Sequence, residues 1–179
     1  GMIFVFKIAG AIAETGATLD DTFKLASEAN NKIRTIGVAV SPCILPEAGK
    51  PTFEISNDEI EIGMGIHGEP GIKREKLKKA DLLVDELCKR VLDDFELKNN
   101  DQISVMINSL GATPLEELYI VSKRVHEIFS KLNIKIIKSY VGRYATSMEM
   151  AGMSITIIKI DGDIKKYLFA NSECPFWTI

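Results

Sequence analysis

Length, composition and charge limit the classes of protein to which this sequence can belong. The chain has 179 residues, of which 46% are apolar, 26% charged and 7% aromatic. A chain of this length buries roughly two thirds of the surface that its unfolded form exposes, so small scaffolds that depend on disulfides or metals are excluded. The net charge of -3 lacks the basic excess that binding to a phosphate backbone requires, and we therefore expect no nucleic-acid partner.

The cysteines and the apolar N-terminal segment favour a reduced, cytoplasmic environment. Cys43, Cys88 and Cys174 are odd in number and irregularly spaced, which favours three packing residues over a disulfide framework or a zinc site. Residues 2–13 are apolar, but no basic region precedes them and Lys7 interrupts them, which is unlike a signal peptide. Because no apolar stretch approaches about 18 residues, we expect a cytoplasmic protein that does not associate with a membrane.

Two helices are predicted before any strand. Residues 3–13 carry apolar side chains at helical spacing, and the pattern ends at Gly16. This helix has no recognisable start, which suggests a chain cut inside a longer protein. Thr18 is predicted to cap the second helix, with Asp21 at the third position. The face of the second helix is predicted to consist of Leu19, Phe23, Ala26, Asn30 and Ile33.

Strands and helices alternate along the rest of the chain, which predicts one α/β domain. Thr113 is predicted to cap one of the helices, with Pro114 as its first residue. The segment 142–152 is either an interaction surface or a connector, and we favour the connector. The predicted strands are 37–41, 59–67, 102–109, 134–141 and 154–160, and the predicted helices begin at 73 and 114.

The candidate chemistry lies in the stretch 62–71. The run from Gly63 to Gly68 formally matches the G-x-G-x-x-G dinucleotide fingerprint. That fingerprint requires its glycines to lead directly into a helix, whereas Pro70 and Gly71 form a turn here. We therefore reject a dinucleotide site.

Two glycines precede a histidine at even spacing in this stretch. In a strand, Gly63 and Gly65 lie on the same face as His67, and strands disfavour glycine unless a ligand or another backbone approaches closely. The pattern predicts a small ligand lying against the backbone, with the imidazole projecting at the strand end. The alternative is that His67 is an ordinary hydrogen-bonded structural histidine.

Metal and anion sites have weaker support. His67 and Glu69 have a spacing that suits two metal ligands, but the other histidine, His126, lies on a predicted helix among polar residues. We expect no metal site. The turn at 111–114 could bind an anion at a helix N-terminus, but an ordinary strand-to-helix turn is the simpler interpretation.

Four segments of the sequence resemble the dihydroxyacetone (glycerone) kinase family, and specifically its dihydroxyacetone-binding, DhaK-type subunit. The resemblance extends over essentially the whole chain, with the motifs in the family order. The segments are Gly-Val-Ala-Val-Ser-Pro-Cys at 37–43, Met-Gly-Ile-His-Gly-Glu-Pro-Gly at 64–71, Leu-Gly-Ala-Thr-Pro-Leu-Glu-Glu-Leu-Tyr at 110–119, and Thr-Ser-Met-Glu-Met-Ala-Gly at 146–152.

The resemblance implies a phosphotransferase family of glycerol metabolism and a covalent role for one histidine. In that family the histidine of the G-I-H-x-E-P-G motif, which stands here at 65–71, attacks the ketone of dihydroxyacetone and holds it as a hemiaminal. The matching residue of this sequence is His67. Gly63 and Gly65 are the further predicted substrate-binding residues. The resemblance places no cofactor on this chain, because Mg²⁺ and the nucleotide are expected on a separate helical, DhaL-type subunit or domain that docks over the bound ketone.

The family also implies what this chain lacks. Its members have two α/β domains, and the groups that bind the substrate hydroxyls, including an aspartate proposed for acid–base work, lie on the first. Residues 2–179 are therefore expected to be the second, C-terminal domain, a two-layer α/β domain with a mixed, mostly parallel sheet preceded by N-terminal helices. Exposed apolar residues around Ile3, Phe4 and Phe6 are expected where the first domain would pack, and they favour a homodimer of this chain.

Three functions follow as hypotheses. The first is the substrate-binding half of a glycerone kinase, inactive as a kinase without the first domain. The second is a regulatory paralogue that senses dihydroxyacetone and passes the signal to a transcription factor. The third is an inactive fragment, for which replacing His67 changes nothing measurable.

Overall fold

The elements of the fold are those of a computed structural model, which describes residues 1–175 and 177–178. The helices are α1 (Met2–Ala13), α2 (Leu19–Asn31), α3 (Ala80–Asp93), α4 (Leu115–Lys131) and α5 (Gly162–Leu168). The strands are β1 (Ile33–Ala39), β2 (Glu59–Ile62), β3 (Lys73–Lys76), β4 (Gln102–Ser109), β5 (Lys135–Gly142), β6 (Gly152–Ile160), β7 (Glu173–Cys174) and β8 (Trp177–Thr178).

Six strands form one mixed sheet in the order β3-β2-β1-β6-β4-β5. The last strand of the six in the sequence, β6, lies between β1 and β4 and pairs antiparallel with both, with Ile155 opposite Ile36 and Ile107. Nearly every residue of β4 and β6 is buried, which explains their continuous apolar sequences, since a strand covered on both faces does not alternate with polar residues.

Helices cover both faces of the sheet. Alternate residues of β4 point to opposite sides: Ile103, Val105 and Ile107 pack in the core under α3 and α4, whereas Met106 packs with α1, α2 and α5. Phe129 of α4 is completely buried in the first core. The result is a three-layer arrangement with a hydrophobic core on each side of the sheet.

The predicted α/β class, the mixed sheet and the N-terminal helices are confirmed, and two details differ. The expected two layers are three, because α1, α2 and α5 cover the face opposite α3 and α4. The expected predominance of parallel pairing is wrong for this sheet, in which only β4 and β5 pair in parallel. The reason is that, within this sheet, α4 is the helix that connects two neighbouring strands, β4 and β5, and so lets them run in the same direction. The other neighbouring strands run in opposite directions.

The predicted helix from residue 73 is wrong at its start. Residues 73–76 form the edge strand β3, whose Arg74 lies opposite Glu61 and whose Lys76 lies opposite Glu59. Charged residues on an edge strand discourage pairing with another chain, but they also remove the apolar alternation by which a strand is predicted. The helix itself begins only at Ala80.

The two N-terminal helices expose a different set of apolar residues from the predicted one. Phe4 is completely buried, contrary to expectation, whereas Phe6 is 67% exposed. On α2 the predicted face points away from the core, with Leu19 83% and Phe23 72% exposed, and Ile33 belongs to β1 rather than to the helix. We call Phe6, Leu19 and Phe23 the exposed N-terminal apolar residues.

The cysteines are free thiols in two environments. Cys43 and Cys88 are buried, as expected of packing residues, and burial raises the pKa of Cys88 to about 12. Cys174 is exposed, so the packing interpretation is wrong for it. Among the helices of the described residues, none has both the length and the apolar composition of a membrane span.

Asn108, on β4, ties the sheet to the segment that follows β5. Its side chain is buried; its oxygen accepts hydrogen bonds from the backbone N–H groups of Tyr144 and Ala145, at 2.8 and 2.9 Å. Its amide nitrogen donates to the carbonyl of Ala145 at 2.7 Å and to the hydroxyl of Ser154 at 3.3 Å. All four hydrogen-bonding positions of the side chain are therefore used.

Replacing Asn108 by alanine is expected to lower the free energy of unfolding by about 2 kcal/mol, because the backbone groups of Tyr144 and Ala145 lose their partners at about 1–3 kcal/mol for each buried group. Denaturant unfolding measures this loss. The control is Ser154→Ala, which removes one long hydrogen bond and is expected to cost less than about 1 kcal/mol. Equal losses in the two variants would contradict this role of Asn108.

Candidate functional site

Four connecting segments meet at one end of the sheet. Three of them follow β1, β2 and β4, and the fourth precedes β6. Each carries all or part of one of the four segments that resemble the kinase family. A small hydrophobic cluster of Ala39, Cys43, Met64, Leu110 and Met150 joins them, and Phe53 and Ile66 pack against it. The structure therefore brings the four sequence motifs into contact.

Backbone hydrogen bonds hold the segment that precedes β6 against the turn after β4. Ser147 N–H donates to the carbonyl of Leu110 at 2.7 Å, and Ala112 N–H donates to the carbonyl of Met150 at 3.0 Å. Gly111 has φ +148, and a Cβ there would lie only 3.0 Å from the carbonyl carbon of Met148. The segment connects β5 to β6, as predicted, and also forms part of the hydrophobic cluster.

Thr113 does not cap helix α4, so this prediction is wrong. The N-cap position is occupied by Pro114, which makes no side-chain capping bond. The hydroxyl of Thr113 instead accepts a hydrogen bond from Gly152 N–H at 2.9 Å. A tertiary contact with the start of β6 has replaced the local cap.

The segment 63–71, which we call the histidine loop, connects β2 to β3. The predicted strand ends at Ile62 rather than at His67, because Gly63 has φ +87, a conformation that turns the chain and that favours glycine. Gly63 N–H donates to the carbonyl of Gly37 on β1 at 2.7 Å. The absence of a side chain at Gly37 allows this approach, since a Cβ there would lie 2.7 Å from the carbonyl oxygen of Met64.

His67 lies at the tip of the histidine loop, with its side chain 76% exposed. Its Nδ1 is 2.8 Å from Oε1 of Glu69, and its backbone N–H donates to Oε2 of the same carboxylate at 3.1 Å. Hydrogen bonds from the backbone N–H of Glu69 itself and then from the His67 ring hold the pKa of the Glu69 carboxyl below its usual range. The carboxylate thus fixes both the ring and the backbone of His67.

The two glycines before His67 do not leave an open surface on which a ligand could lie. A Cβ on Gly63 would lie 2.9 Å from Cγ1 of Ile72, and a Cβ on Gly65 would lie 2.8 Å from Cδ of Glu69. Neighbouring side chains of the same loop region occupy the space that the sequence assigns to a ligand. The geometric premise of that prediction is therefore wrong, while the substrate-binding role of Gly63 and Gly65 stays a prediction.

Glu61 anchors the far end of the histidine loop. Its buried carboxylate accepts a hydrogen bond from Gly71 N–H at 2.9 Å and one from Nη2 of Arg74 at 2.6 Å. Burial alone would raise the pKa of Glu61, but the Arg74 guanidinium and the Gly71 N–H outweigh it, and the pKa lies below its ordinary value of 4.5. Sequence reasoning missed this residue, because alternation placed it on a polar strand face.

The lowered pKa of Glu61 gives a stability that depends on pH. The unfolded chain binds the proton at a higher pH than the folded chain, so the contribution is complete above the ordinary value of 4.5 and is lost as the pH falls through the folded value. We expect Glu61→Gln to be less stable than the unsubstituted protein at neutral pH, and the difference to shrink as the pH is lowered well below 4.5.

Denaturant midpoints at neutral and acidic pH measure this difference. Glu59→Gln is the control, since Glu59 lies on the same strand as Glu61. Its carboxylate is 3.8 Å from Lys76 and does not take part in the contacts of Glu61 with Gly71 and Arg74. A constant difference between the Glu61 variant and the unsubstituted protein at all pH values would contradict the role of the Glu61 charge.

Comparisons with known proteins agree with the resemblance seen in the sequence. The Dak1 domain family model matches residues 1–176. The dihydroxyacetone-binding subunit DhaK of the PTS-dependent dihydroxyacetone kinase 1 of Listeria innocua is 44% identical over 163 residues, which cover 91% of this chain and 50% of that protein.

Two solved structures share the fold at about the same sequence identity. The dihydroxyacetone kinase operon co-activator Dha-DhaQ superposes with a TM-score of 0.87 and 31% identity, over 94% of this chain and 53% of that chain. The dihydroxyacetone kinase of C. freundii in complex with AMP-PNP and Mg²⁺ superposes with a TM-score of 0.84 and 30% identity, over 99% of this chain and 33% of that chain.

The chain spans about half the length of the curated relatives that it matches. Within that half, the family model, the relatives and the solved structures all extend over nearly the whole chain. The chain therefore belongs to the Dak1 domain family, whose curated relatives include dihydroxyacetone-binding DhaK subunits.

Proposed function

We propose that this chain is the substrate-binding half of a dihydroxyacetone (glycerone) kinase, and that His67 holds the ketone as a hemiaminal while a separate nucleotide-bearing subunit or domain supplies the phosphoryl group. The observation that supports this most directly is the geometry of His67. Its imidazole is exposed at a loop tip, with Nδ1 hydrogen-bonded to the Glu69 carboxylate at 2.8 Å.

The contact with Glu69 determines which ring nitrogen can react. A carboxylate accepts a hydrogen bond, so a neutral ring beside it carries its proton on Nδ1 and keeps the lone pair on Nε2. Attack by Nε2 on the carbonyl carbon of dihydroxyacetone forms a C–N bond, and the π electrons of the carbonyl move to its oxygen, which takes a proton from water. Attack leaves the ring positively charged, and the ring then passes its Nδ1 proton to Glu69. Return of that proton to water replaces the one that the new hydroxyl group took, so the hemiaminal forms with no net change of charge.

Covalent capture suits a substrate that offers few other features. Dihydroxyacetone is small, and a bond to its central carbon fixes the hydroxyl groups in place for transfer, which converts an encounter between two mobile groups into a reaction between oriented ones. Glycerol has no carbonyl group and cannot form this bond. The proposed reaction therefore selects short ketones over the corresponding alcohols.

The remaining parts of the reaction are assigned to other chains or segments. We assign the binding of the substrate hydroxyls and the acid–base aspartate to the first domain of a complete DhaK subunit, and Mg²⁺ and nucleotide to a DhaL-type partner. The exposed N-terminal apolar residues, Phe6, Leu19 and Phe23, are our candidates for packing against that first domain or against a second copy in a homodimer. We place the protein in the cytoplasm, in glycerol metabolism.

A regulatory function is the second candidate, and the superposition with the operon co-activator Dha-DhaQ supports it. In that case His67 still captures the ketone, but no phosphoryl transfer follows. The two functions differ when the chain is supplied with a first DhaK domain and a nucleotide-bearing subunit. Formation of dihydroxyacetone phosphate supports the kinase, and capture without product supports the sensor.

The proposed capture predicts an adduct that depends on one histidine. With excess dihydroxyacetone, native mass spectrometry is expected to show a species heavier by one dihydroxyacetone, and His67→Ala is expected to abolish it, since no other group is assigned to attack the carbonyl. The matched control is His126→Ala. His126 is the second histidine, and its Nε2 lies 2.7 Å from the hydroxyl of Ser139 on a distant strand.

The measurement is repeated with the first DhaK domain added, because the hydroxyl-binding groups belong to that domain. Adduct in the control but not in His67→Ala supports capture by this residue. Equal adduct in the unsubstituted protein and His67→Ala would show nonspecific reaction with lysines, and no adduct even with the first domain would favour the inactive fragment.

A further inference from the structure

Gly65 and Glu69 close the histidine loop against each other. Gly65 N–H donates to the backbone carbonyl of Glu69 at 3.3 Å, and Gly68 N–H donates to the carbonyl of Gly65 at 3.2 Å. The side chain of Glu69 then folds back over the Cα of Gly65 and reaches His67. The carboxylate therefore lies between Gly65 and the histidine.

A side chain at position 65 is incompatible with this position of the carboxylate. A Cβ on Gly65 would lie 2.8 Å from Cδ and 3.2 Å from Cβ of Glu69, and closer still to Oε2. Oε2 is the atom that accepts the hydrogen bond from the backbone N–H of His67. The clash thus falls on the group that orients the histidine.

The backbone conformation of Gly65 does not itself require glycine. Gly63 and Gly68 have φ +87 and +82, which side chains other than glycine rarely adopt, but Gly65 is outside this left-handed region. Alanine at position 65 therefore brings no backbone strain. The severe clash is with the carboxylate end of a flexible, exposed side chain, which can swing away into solvent. The 3.2 Å approach to Cβ of Glu69 requires only a shift of a few tenths of an ångström in the loop.

We propose that Gly65 is a positioning residue, which keeps the space in which the Glu69 carboxylate lies against both the ring and the backbone N–H of His67. This inference rests on the proposed function for its catalytic meaning. It differs from the expectation drawn from the sequence, in which Gly65 leaves space for the ketone itself. Gly65 acts on the substrate through Glu69 and His67.

The proposal predicts a shift of the ring proton in Gly65→Ala. When the Glu69 carboxylate is displaced, Nδ1 loses its acceptor, and the proton redistributes toward Nε2. A ring protonated on Nε2 has no lone pair there for attack. We expect the adduct formation constant to fall about fivefold, the effect of losing one hydrogen bond to a charged group that is exposed to water, while the unfolding midpoint stays unchanged.

The test combines ring-nitrogen NMR with adduct titration on four proteins: the unsubstituted chain, Gly65→Ala, Glu69→Ala and the double variant. The nitrogen shifts of His67 report the tautomer without any ligand. We expect the Nδ1–H form in the unsubstituted chain and its loss in both single variants. Once Glu69 is alanine, adding Gly65→Ala is expected to change neither the tautomer nor the adduct, since the two residues act through one contact.

Two results would overturn the proposal. One is a Gly65→Ala protein that retains the Nδ1–H tautomer. The other is a further loss of adduct when Gly65→Ala is added to Glu69→Ala, which would show that position 65 faces the ketone directly. If the unsubstituted protein forms no adduct even with the first DhaK domain, the proposed function fails, but the nitrogen shifts still decide the role of Gly65.

Discussion

The insertion of β6 between β1 and β4 is the constraint on which the rest of the structure depends. Both neighbours pair with it antiparallel along most of their length, and it is buried on both faces. To reach this central position from β5, the chain must pass over the end of the sheet. That passage brings Ser147 and Met150 against the turn after β4, and it creates the cluster on which Met64 of the histidine loop packs. The position of His67 is thus a consequence of strand order as much as of the loop sequence.

Two carboxylates then hold the histidine loop, and their environments separate their roles. Glu61 is buried at the base, where Arg74 and the backbone of Gly71 satisfy its charge. An unpaired charge there would be costly, so this carboxylate has a structural role. Glu69 is exposed at the tip, and its carboxylate hydrogen-bonds with the ring and the backbone N–H of His67 in the same loop. It can move without unfolding the protein, because no buried group depends on its charge.

The sequence predicts the elements that reveal themselves by a local pattern of apolar residues. It misses those whose conformation depends on contacts with distant parts of the chain. Apolar periodicity is sufficient for α4 and for the buried strands β4 and β6, because a buried element needs apolar residues wherever it faces the core. It fails for β3, where four charged residues form an edge strand, and for the second half of the predicted strand 59–67, where Met64 and Ile66 continue the alternation after Gly63 has already turned the chain.

At the site, too, local sequence patterns predict some features and tertiary contacts determine the others. The motif draws attention to His67, but the partner of its ring depends on how the loop folds. Spacing alone suggests Glu69 as a second metal ligand, and only the fold places its carboxylate against the His67 ring. Likewise, a pair of glycines in sequence indicates that something approaches closely. The folded loop shows which groups these are: Ile72 approaches Gly63, and Glu69 approaches Gly65.

The exposure of His67 bears on how strongly this half alone can react. In water the attraction between a carboxylate and a charged ring is weak, at about 1 kcal/mol for a separation of 4 Å, and it rises several-fold where solvent is excluded. In the proposed capture, Glu69 therefore stabilises the charged ring only weakly while the loop tip is open to solvent. A second domain that covers the tip would exclude water, strengthen the contact between Glu69 and His67, and supply partners for the substrate hydroxyls at the same time. For the proposed capture, the solvation of this ion pair is therefore one physical reason to expect a weaker adduct on this half than in a complete subunit.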